Sequence, residues 1–368
     1  MLHFTIDRNL IMPTLLLLSG VSENRHTMEI LGNICFRVRD NYLQLSATDT
    51  EIEISARISL PIDPEFQGET TVSSKKLIDI CRAFPDHTLL TFTQKEQKIL
   101  ITGARSKFSL ATLPSSDFPK IKEHIKVVQD EIKVSSLKTL LQTTSFSIAE
   151  QDIRYYLNGM LLESKKGSLI SVATDTHRFA LCEVDHPSEA PSFRIILPRK
   201  GVFELIKMLD LIEEETGSIQ ISQNHFYIET PMYTWISKLI NGVYPNYSNV
   251  IPKNHDKAIR IDRDLLKQSL LRMSILLSDK YRAVLLSVQE GVLKIGVNNL
   301  DREEAEEEIE AVLDCANVVI RLNVQYVLEV LHQMPEGQVN ISFLDPEGPI
   351  LLESLIESRA KYIIMPMK

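Results

Sequence analysis

Apolar residues recur at helical spacing in three stretches of the chain, residues 72–85, 197–210 and 322–335, whose starts lie 125 residues apart, twice. Each stretch opens on a capping-type residue or a proline and stops near a proline, an aspartate or a glycine. A second helical pattern recurs in the same frame as Ile6-Asp7-Arg8-Asn9-Leu10, Val134-Ser135-Ser136-Leu137-Lys138 and Ile261-Asp262-Arg263-Asp264-Leu265, at spacings of 128 and 127. Together they predict six helices, over residues 7–19, 73–85, 135–149, 198–210, 262–277 and 323–335. Runs of strand type lie between them at 34–39 and 42–47, 160–164 and 169–173, and 284–289 and 292–297. Asp40-Asn41 and Glu290-Gly291 read as two-residue hairpin turns. The tetrapeptide Ala47-Thr48-Asp49-Thr50 returns 126 residues later as Ala173-Thr174-Asp175-Thr176.

One helix–strands–helix–strands unit is therefore written three times. A period this long marks like domains rather than a solenoid of short repeats. Turn-rich stretches at 113–119 and 241–247 place the boundaries, which predicts domains over residues 1–121, 122–252 and 253–368. The fold class expected is α+β, each domain with two helices packed on antiparallel sheets. The apolar stretch 10–21 reads as a core helix rather than a secretion signal, because Pro13 interrupts it, Asp7 precedes it and no small-residue cleavage site follows. No apolar run is long enough to span a bilayer, so no membrane partner is expected.

Composition changes this picture little, with 44% hydrophobic and 24% charged residues as in folded globular chains. Charge changes it more. A net charge of −9 would argue against a nucleic-acid partner if it were spread evenly. It is not: the six predicted helices carry +4 and the remainder −13. Two such chains closed head to tail would present twelve helices, and at about 8–10 Å between axes these line a circle roughly 31–38 Å across. With helix side chains reaching about 5 Å inward, the opening left has the calibre of a nucleic-acid duplex. A positive lining and an acidic exterior suit loose, sequence-independent phosphate contact. Four cysteines, Cys35, Cys81, Cys182 and Cys315, show no C-x-x-C spacing, which argues against a zinc site or a disulfide framework and fits a reducing compartment.

The most specific stretches are Gln151-Asp152-Ile153-Arg154-Tyr155-Tyr156-Leu157-Asn158-Gly159-Met160, Ala173-Thr174-Asp175-Thr176-His177-Arg178, Pro198-Arg199-Lys200-Gly201, Ser237-Lys238-Leu239 and Tyr362-Ile363-Ile364-Met365-Pro366-Met367. In these the chain resembles the beta subunit of bacterial DNA polymerase III, the sliding-clamp family, from the first strand to the last residues. The resemblance implies a non-catalytic, cytoplasmic processivity factor: a head-to-tail homodimeric ring on double-stranded DNA, loaded by an ATP-driven clamp loader. It also implies a groove between the second and third domains that takes short peptides of the replicative polymerase alpha subunit and of other clamp-binding-motif proteins. Carried over by position, that groove comprises Leu157, Thr174, Thr176, His177, Arg178, Phe179, Pro245, Val250, Asn323, Tyr326, Ile363, Met365, Pro366 and Met367. The matching DNA-contact positions are Arg25, Gln151, Arg154, Tyr155, Tyr156, Arg199 and Lys200. For the dimer seam, Phe108 and Leu110 would meet Ile275 and Leu276, while Arg105 and Lys107 would face the acidic run 301–310 with Glu303, Glu304, Glu306 and Glu307. Departures are Thr176 where the family often has Gly, Phe179 where it often has Leu, Ser248 and Asn249 where basic residues are frequent, and an end at Lys368. The first two would tighten the groove's mouth.

Two rival readings come from the same residues. One is an enzyme of repeated domains with Asp175, His177 and Arg178 as an acid–base cleft. Against it, Thr48-Asp49-Thr50 repeats the turn without a histidine, which marks the aspartate as structural. The other is a sequence-specific nucleic-acid binder. Asp49, Glu51 and Glu53 alternate as on an exposed strand edge, and Tyr233 and Trp235 read as packing residues. No Gly-rich phosphate loop, G-x-S-x-G or H-E-x-x-H occurs, and neither a cofactor nor a metal is expected.

Overall fold

A strand runs straight into a helix six times along the chain. In order, His3–Asp7 leads into α1 (Arg8–Ser19), Gly68–Ser73 into α2 (Ser74–Ala83), and Lys126–Lys133 into α3 (Val134–Thr144). Arg194–Pro198 then leads into α4 (Arg199–Leu209), Lys257–Asp262 into α5 (Arg263–Met273), and Val318–Asn323 into α6 (Val324–Gln333). The computed structural model describes residues 2–22, 28–61, 64–121, 126–165, 167–252, 256–278, 282–289, 291–299, 301–315, 317–357 and 359–367. Polar residues at the strand–helix joints explain several of the helix starts. Asp7 accepts from Asn9 N at 2.7 Å, Asp262 from Asp264 N and Leu265 N at 3.0 and 2.9 Å, and Asn323 from Gln325 N at 3.0 Å. Each satisfies backbone donors that the first helical turn leaves without a partner, typically worth about 1 kcal/mol. Three antiparallel strands follow each helix, with a two-residue fourth, Val312–Leu313, after α5, so each sequence repeat is a strand–helix–three-strand unit used twice.

Compactness divides the chain into two units: Met1–Lys138 with Ser188–Pro191 and Lys200–Ile240, and Thr139–Pro187 with Ser192–Arg199 and Asn241–Lys368. The first unit holds a twelve-stranded sheet in which the first repeat's Ile52–Ser59 pairs with the second repeat's Tyr233–Lys238, in register Tyr233 to Ala56 through Ser237 to Ile52. The second holds a nine-stranded sheet in which the second repeat's Arg178–Asp185 pairs with the third repeat's Ala360–Ile364, Arg178 opposite Ile364 and Phe179 opposite Ile363. A four-stranded sheet of Glu304–Ile309, Val292–Asn298, Ala283–Gln289 and Val318–Asn323 completes that unit. The middle repeat is thus shared, one half in each unit.

Core packing follows the predicted pattern. In α1, Ile11, Leu15 and Leu18 are fully buried, as expected for a core helix, and Pro13 is accommodated within it. Phe4 stacks on Phe92 at 4.8 Å, and Trp235, fully buried, meets Phe226 edge-on at 5.9 Å. Tyr233 is buried too, so both aromatics pack as expected. The hairpin at Asp40 and Asn41 has φ of 47° and 64°, the left-handed pair that a two-residue turn needs. At the other predicted turn Gly291 has φ 80°, and Glu290 lies outside the described residues. The cysteines are all unpaired, and burial pushes the Cys35, Cys81 and Cys182 thiols up to about 11, 12 and 11.

The carboxylates of the alternating strand form no exposed edge, which corrects that expectation. Ile52–Ser59 pairs on both sides, with Tyr42–Thr48 and Tyr233–Lys238. Asp49 accepts from Lys200 Nζ at 2.7 Å, Glu51 from Lys238 Nζ at 3.0 Å, and Glu53 from Ile121 N at 3.0 Å. The alternation resembles an edge because nothing in the local sequence announces a strand that arrives from the next repeat.

Candidate functional site

The repeated tetrapeptide builds the same turn twice. Thr50 and Thr176 sit at φ 76° and 75°. Asp49 Oδ1 accepts from Glu51 N and Ile52 N at 2.9 and 2.7 Å, and Asp175 Oδ1 from His177 N and Arg178 N at 3.0 Å each. The Thr48 hydroxyl donates to Ile52 O at 2.8 Å and the Thr174 hydroxyl to Arg178 O at 2.7 Å. In the third repeat Asn299 takes the aspartate's place, accepting from Asp301 N and Glu303 N at 3.0 and 2.9 Å. Asp175 thus places one oxygen on backbone donors and the other on Arg178 Nε at 3.0 Å, the contacts of a turn-forming aspartate. Among the described residues no group of three His, Cys, Asp or Glu is placed to hold a metal ion.

In the second unit this turn meets the end of the chain. The chain's last strand passes beside it and continues as an extended tail: Met365 N donates to His177 O and Met367 N to Arg321 O, both at 2.8 Å. The segment after residue 240 is anchored in the same unit. Its Tyr244 is buried, Arg194 donates to Tyr244 O at 3.1 Å, and the Tyr247 hydroxyl donates to Glu163 at 2.8 Å, which with burial pushes the phenol up to about 12. Those anchors leave Val250 42% exposed beside the exposed Pro245. Leu157 precedes Gly159–Lys165, which pairs with the strand ending at Thr174. Leu157, Phe179 and Ile363 are buried, exposing 2%, 3% and 1%. Thr176, His177, Met365 and Met367 are exposed.

Of the two departures, Phe179 is buried, because its strand turns that side chain inward, while Thr176 is exposed. Arg178 is 12% exposed, with its guanidinium over the Tyr326 ring at 4.4 Å and the Phe146 ring at 5.3 Å, and it is paired to Asp175 and to Glu329 of α6. Asn323 spends its side chain on capping α6. Lys368 lies outside the described residues.

The DNA-contact candidates separate by what already engages them. Arg154 forms a two-pronged pair with Asp152, at 2.9 and 2.8 Å, holding that carboxyl down to about 2. Arg199 Nη1 donates to Ile148 O at 2.7 Å, and Lys200, in the first unit, is tied to Asp49. Gln151 and Tyr155 are exposed, Tyr156 half-buried, and Arg25 lies outside the described residues. Asn158 braces this loop through its side chain, accepting from Asp152 N and donating to Asp152 O at 2.8 Å each. At its tip stands Ile153, 96% exposed, which the sequence reading did not single out; the only signal was an aliphatic residue inside a polar turn.

The seam candidates lie on or beside two strands, with Ile275 and Leu276 in the 3-10 turn Ser274–Leu276. Ser106–Leu113 pairs along its length with Lys98–Gly103, but meets Gly68–Ser73 only at Thr112 and Leu113. Arg105 and Lys107 are exposed there, and Phe108 packs edge-on against Phe84 at 5.8 Å. In the second unit Glu304–Ile309 ends the four-stranded sheet. Part of its acidity is already matched: Lys294 holds Glu306 and Glu308 at 3.1 Å each, and Arg272 holds Glu307, whose pKa falls as a result. Glu303 and Glu304 meet only asparagine amides among the described residues, and Ile275 is 79% exposed.

Family models match nearly the whole chain. Those for the N-terminal, central and C-terminal domains of the DNA polymerase III beta subunit match residues 2–122, 131–246 and 248–368. The beta sliding clamp of Pseudomonas putida KT2440 is 40% identical over 368 residues, and that of Escherichia coli K12 39% over 367, with full coverage of both chains in each case. The crystal structure of a Pseudomonas aeruginosa sliding clamp bound to griselimycin superposes with a TM-score of 0.93 at 40% identity, covering 100% of this chain and 99% of that one. A Bartonella birtlesii sliding clamp bound to griselimycin gives 0.93 at 30% identity with the same coverage. Threefold repetition, six helices on antiparallel sheets and these full-length matches make the chain a member of the DNA polymerase III beta-subunit family, the non-catalytic sliding clamps.

Proposed function

We propose that three clamp domains, residues 1–121, 122–252 and 253–368, make half of a ring that two copies close head to tail around duplex DNA in the cytoplasm. The observation that carries this is the pair of open strand edges. A basic edge with Arg105 and Lys107 in the first repeat and an acidic edge with Glu303 and Glu304 in the third are what a heterologous, self-closing contact needs. Phe108 and Leu110 against Ile275 and Leu276 would supply its apolar part. The helices then carry the positive lining, and contact with DNA is loose because Arg154, Arg199 and Lys200 are already engaged within the protein.

In this reading the groove beside Thr176 and Met365 tethers the replicative polymerase alpha subunit and other clamp-binding-motif proteins, and it is also where griselimycin would bind. A clamp loader opens the ring. The deciding experiment compares retention on nicked circular and linear DNA after loading with a clamp loader and ATP. An encircling ring stays on the circle and slides off free ends. Equal loss from both substrates would exclude encirclement, and tight binding to short linear duplexes would favour the sequence-specific binder instead.

A further inference from the structure

The turn that carries Thr176 closes without help from Arg178. Its counterpart in the first repeat has Ile52 at that position, yet keeps the same two backbone bonds to the aspartate, the same threonine hydroxyl bond and the same left-handed threonine. Arg178 is therefore an addition to a turn that already holds itself together. In the first repeat the spare oxygen of Asp49 is taken by Lys200 of α4. In the second, Arg178 bridges from Asp175 Oδ2 to Glu329 of α6. Both ties run from the turn to the second helix of the following repeat, with the charges reversed.

We propose that Arg178 is a positioning residue for the groove, acting through Glu329, rather than a group that touches the bound ligand. Its guanidinium is enclosed: Asp175 and Glu329 take its edges, the Tyr326 and Phe146 rings lie at 4.4 and 5.3 Å, and only 12% of the side chain is exposed. Little of it is left to meet a ligand. What it does hold is the turn bearing Thr176 and His177 against the helix bearing Tyr326, two walls of the same groove. Burial in this enclosure pulls the guanidinium's pKa down, and the Asp175 carboxylate opposes that pull. Glu329 is not itself one of the groove positions, and it lines a cleft of about 360 Å³ between α5 and α6 with Phe146, Leu271 and Leu328. Substituting it leaves every groove side chain chemically unchanged.

This inference rests on the groove reading, and the test separates the two. Griselimycin affinity is measured by calorimetry on the full-length chain and on the variants Glu329→Ala, Glu329→Gln, Arg178→Ala and the Arg178→Ala/Glu329→Ala pair. Glu329→Ala is expected to weaken binding on the order of tenfold. Glu329→Gln, which keeps an acceptor for the guanidinium, should recover much of that loss, and the pair should bind no worse than Arg178→Ala alone. Asp49→Ala, which damages the sister turn in the other unit, should leave affinity unchanged, separating positioning from general destabilisation. Native affinity in Glu329→Ala alongside a large loss in Arg178→Ala overturns the proposal, because Arg178 would then be touching the ligand itself. Native affinity in both Met365→Ala and Val250→Glu overturns instead the placement of the ligand in this groove. Should Arg178→Ala fold poorly, Glu329→Ala and Glu329→Gln decide the matter alone.

Discussion

Asp49 and Asp175 occupy the same turn in different surroundings, so replacing each with alanine separates the cost of the turn from the cost of its outer ion pair. Either substitution removes the acceptor for two backbone N–H groups, a loss like that of a helix cap, about 1–2 kcal/mol. The difference lies in the cation left behind. Lys200, one-third exposed, can turn its ammonium to water, so its pair with Asp49 adds about 0–1 kcal/mol. Arg178 is 12% exposed and cannot follow, and losing one of its two carboxylates forfeits a charge-assisted bond worth about 1.5–3 kcal/mol. Asp175→Ala should therefore destabilise its region by roughly 1–2 kcal/mol more than Asp49→Ala does its own. Hydrogen exchange followed by mass spectrometry reads both regions in one experiment, through peptides covering 47–60 and 173–185, and it does not require the whole chain to unfold in one step. Equal losses, or a larger loss at Asp49, would refute the claim that Arg178 depends on its enclosure.

Three other perturbations test separate parts of the description. Lys107→Glu should raise the dimer dissociation constant in analytical ultracentrifugation, and Glu304→Lys in the partner position should restore much of it; failure of the double variant to recover would argue against opposed edges. Glu53 is held above the usual carboxylate range by burial, so the folded state binds its proton more readily than the unfolded chain does. That raised pKa makes its ionised form a cost at neutral pH, relieved as pH falls towards the unfolded value of about 4.3. Glu53→Gln, whose amide oxygen can still accept from Ile121 N, should leave stability at pH 7 unchanged or higher and lose any advantage near pH 4. A clear drop in urea midpoint at pH 7 would contradict this. Iodoacetamide at pH 8 should label the half-buried Cys315 well before Cys35, Cys81 and Cys182, whose thiols burial has pushed far above that pH; early labelling of any of the three would count against the packed core.

Periodicity made the helices legible because each pattern occurs three times, and the predicted spans lie within a few residues of those observed, the largest overruns being at 145–149 and 274–277, where α3 and α5 give way to short 3-10 turns. The tetrapeptide turn was legible for the same reason: a copy lacking the histidine showed which residues the turn needs. What stayed hidden lies in pairings between distant segments. Nothing around Ile52–Ser59 foretells Tyr233–Lys238 as its neighbour, so its acidic residues passed for a solvated edge. The depth of Phe179 and the exposure of Ile153 are likewise set by which strand or loop happens to cover them. Glu329 was missed because one acid on an amphipathic helix carries no local mark of the arginine it meets.

The internal repeat also sets the two junctions between repeats side by side. Aligned on the two turns, Ile52 stands for Arg178, Glu53 for Phe179, Ile236 for Ile363 and Trp235 for Tyr362. Aligned on the second helices, Gly201 stands for Tyr326. Gly201 has no room for a side chain, since a Cβ there would lie 3.0 Å from Ser237 Oγ and 3.4 Å from the Trp235 ring. At the first junction the half-buried Glu53 stands where the second has the buried Phe179, and Ile121 N donates to it. The segment supplying Ile121 follows Pro119, as Tyr247 follows Pro245. The first junction therefore carries a carboxylate bonded by its own chain where the second carries the apolar Phe179 and Ile363, which is why the proposed peptide site falls at the second.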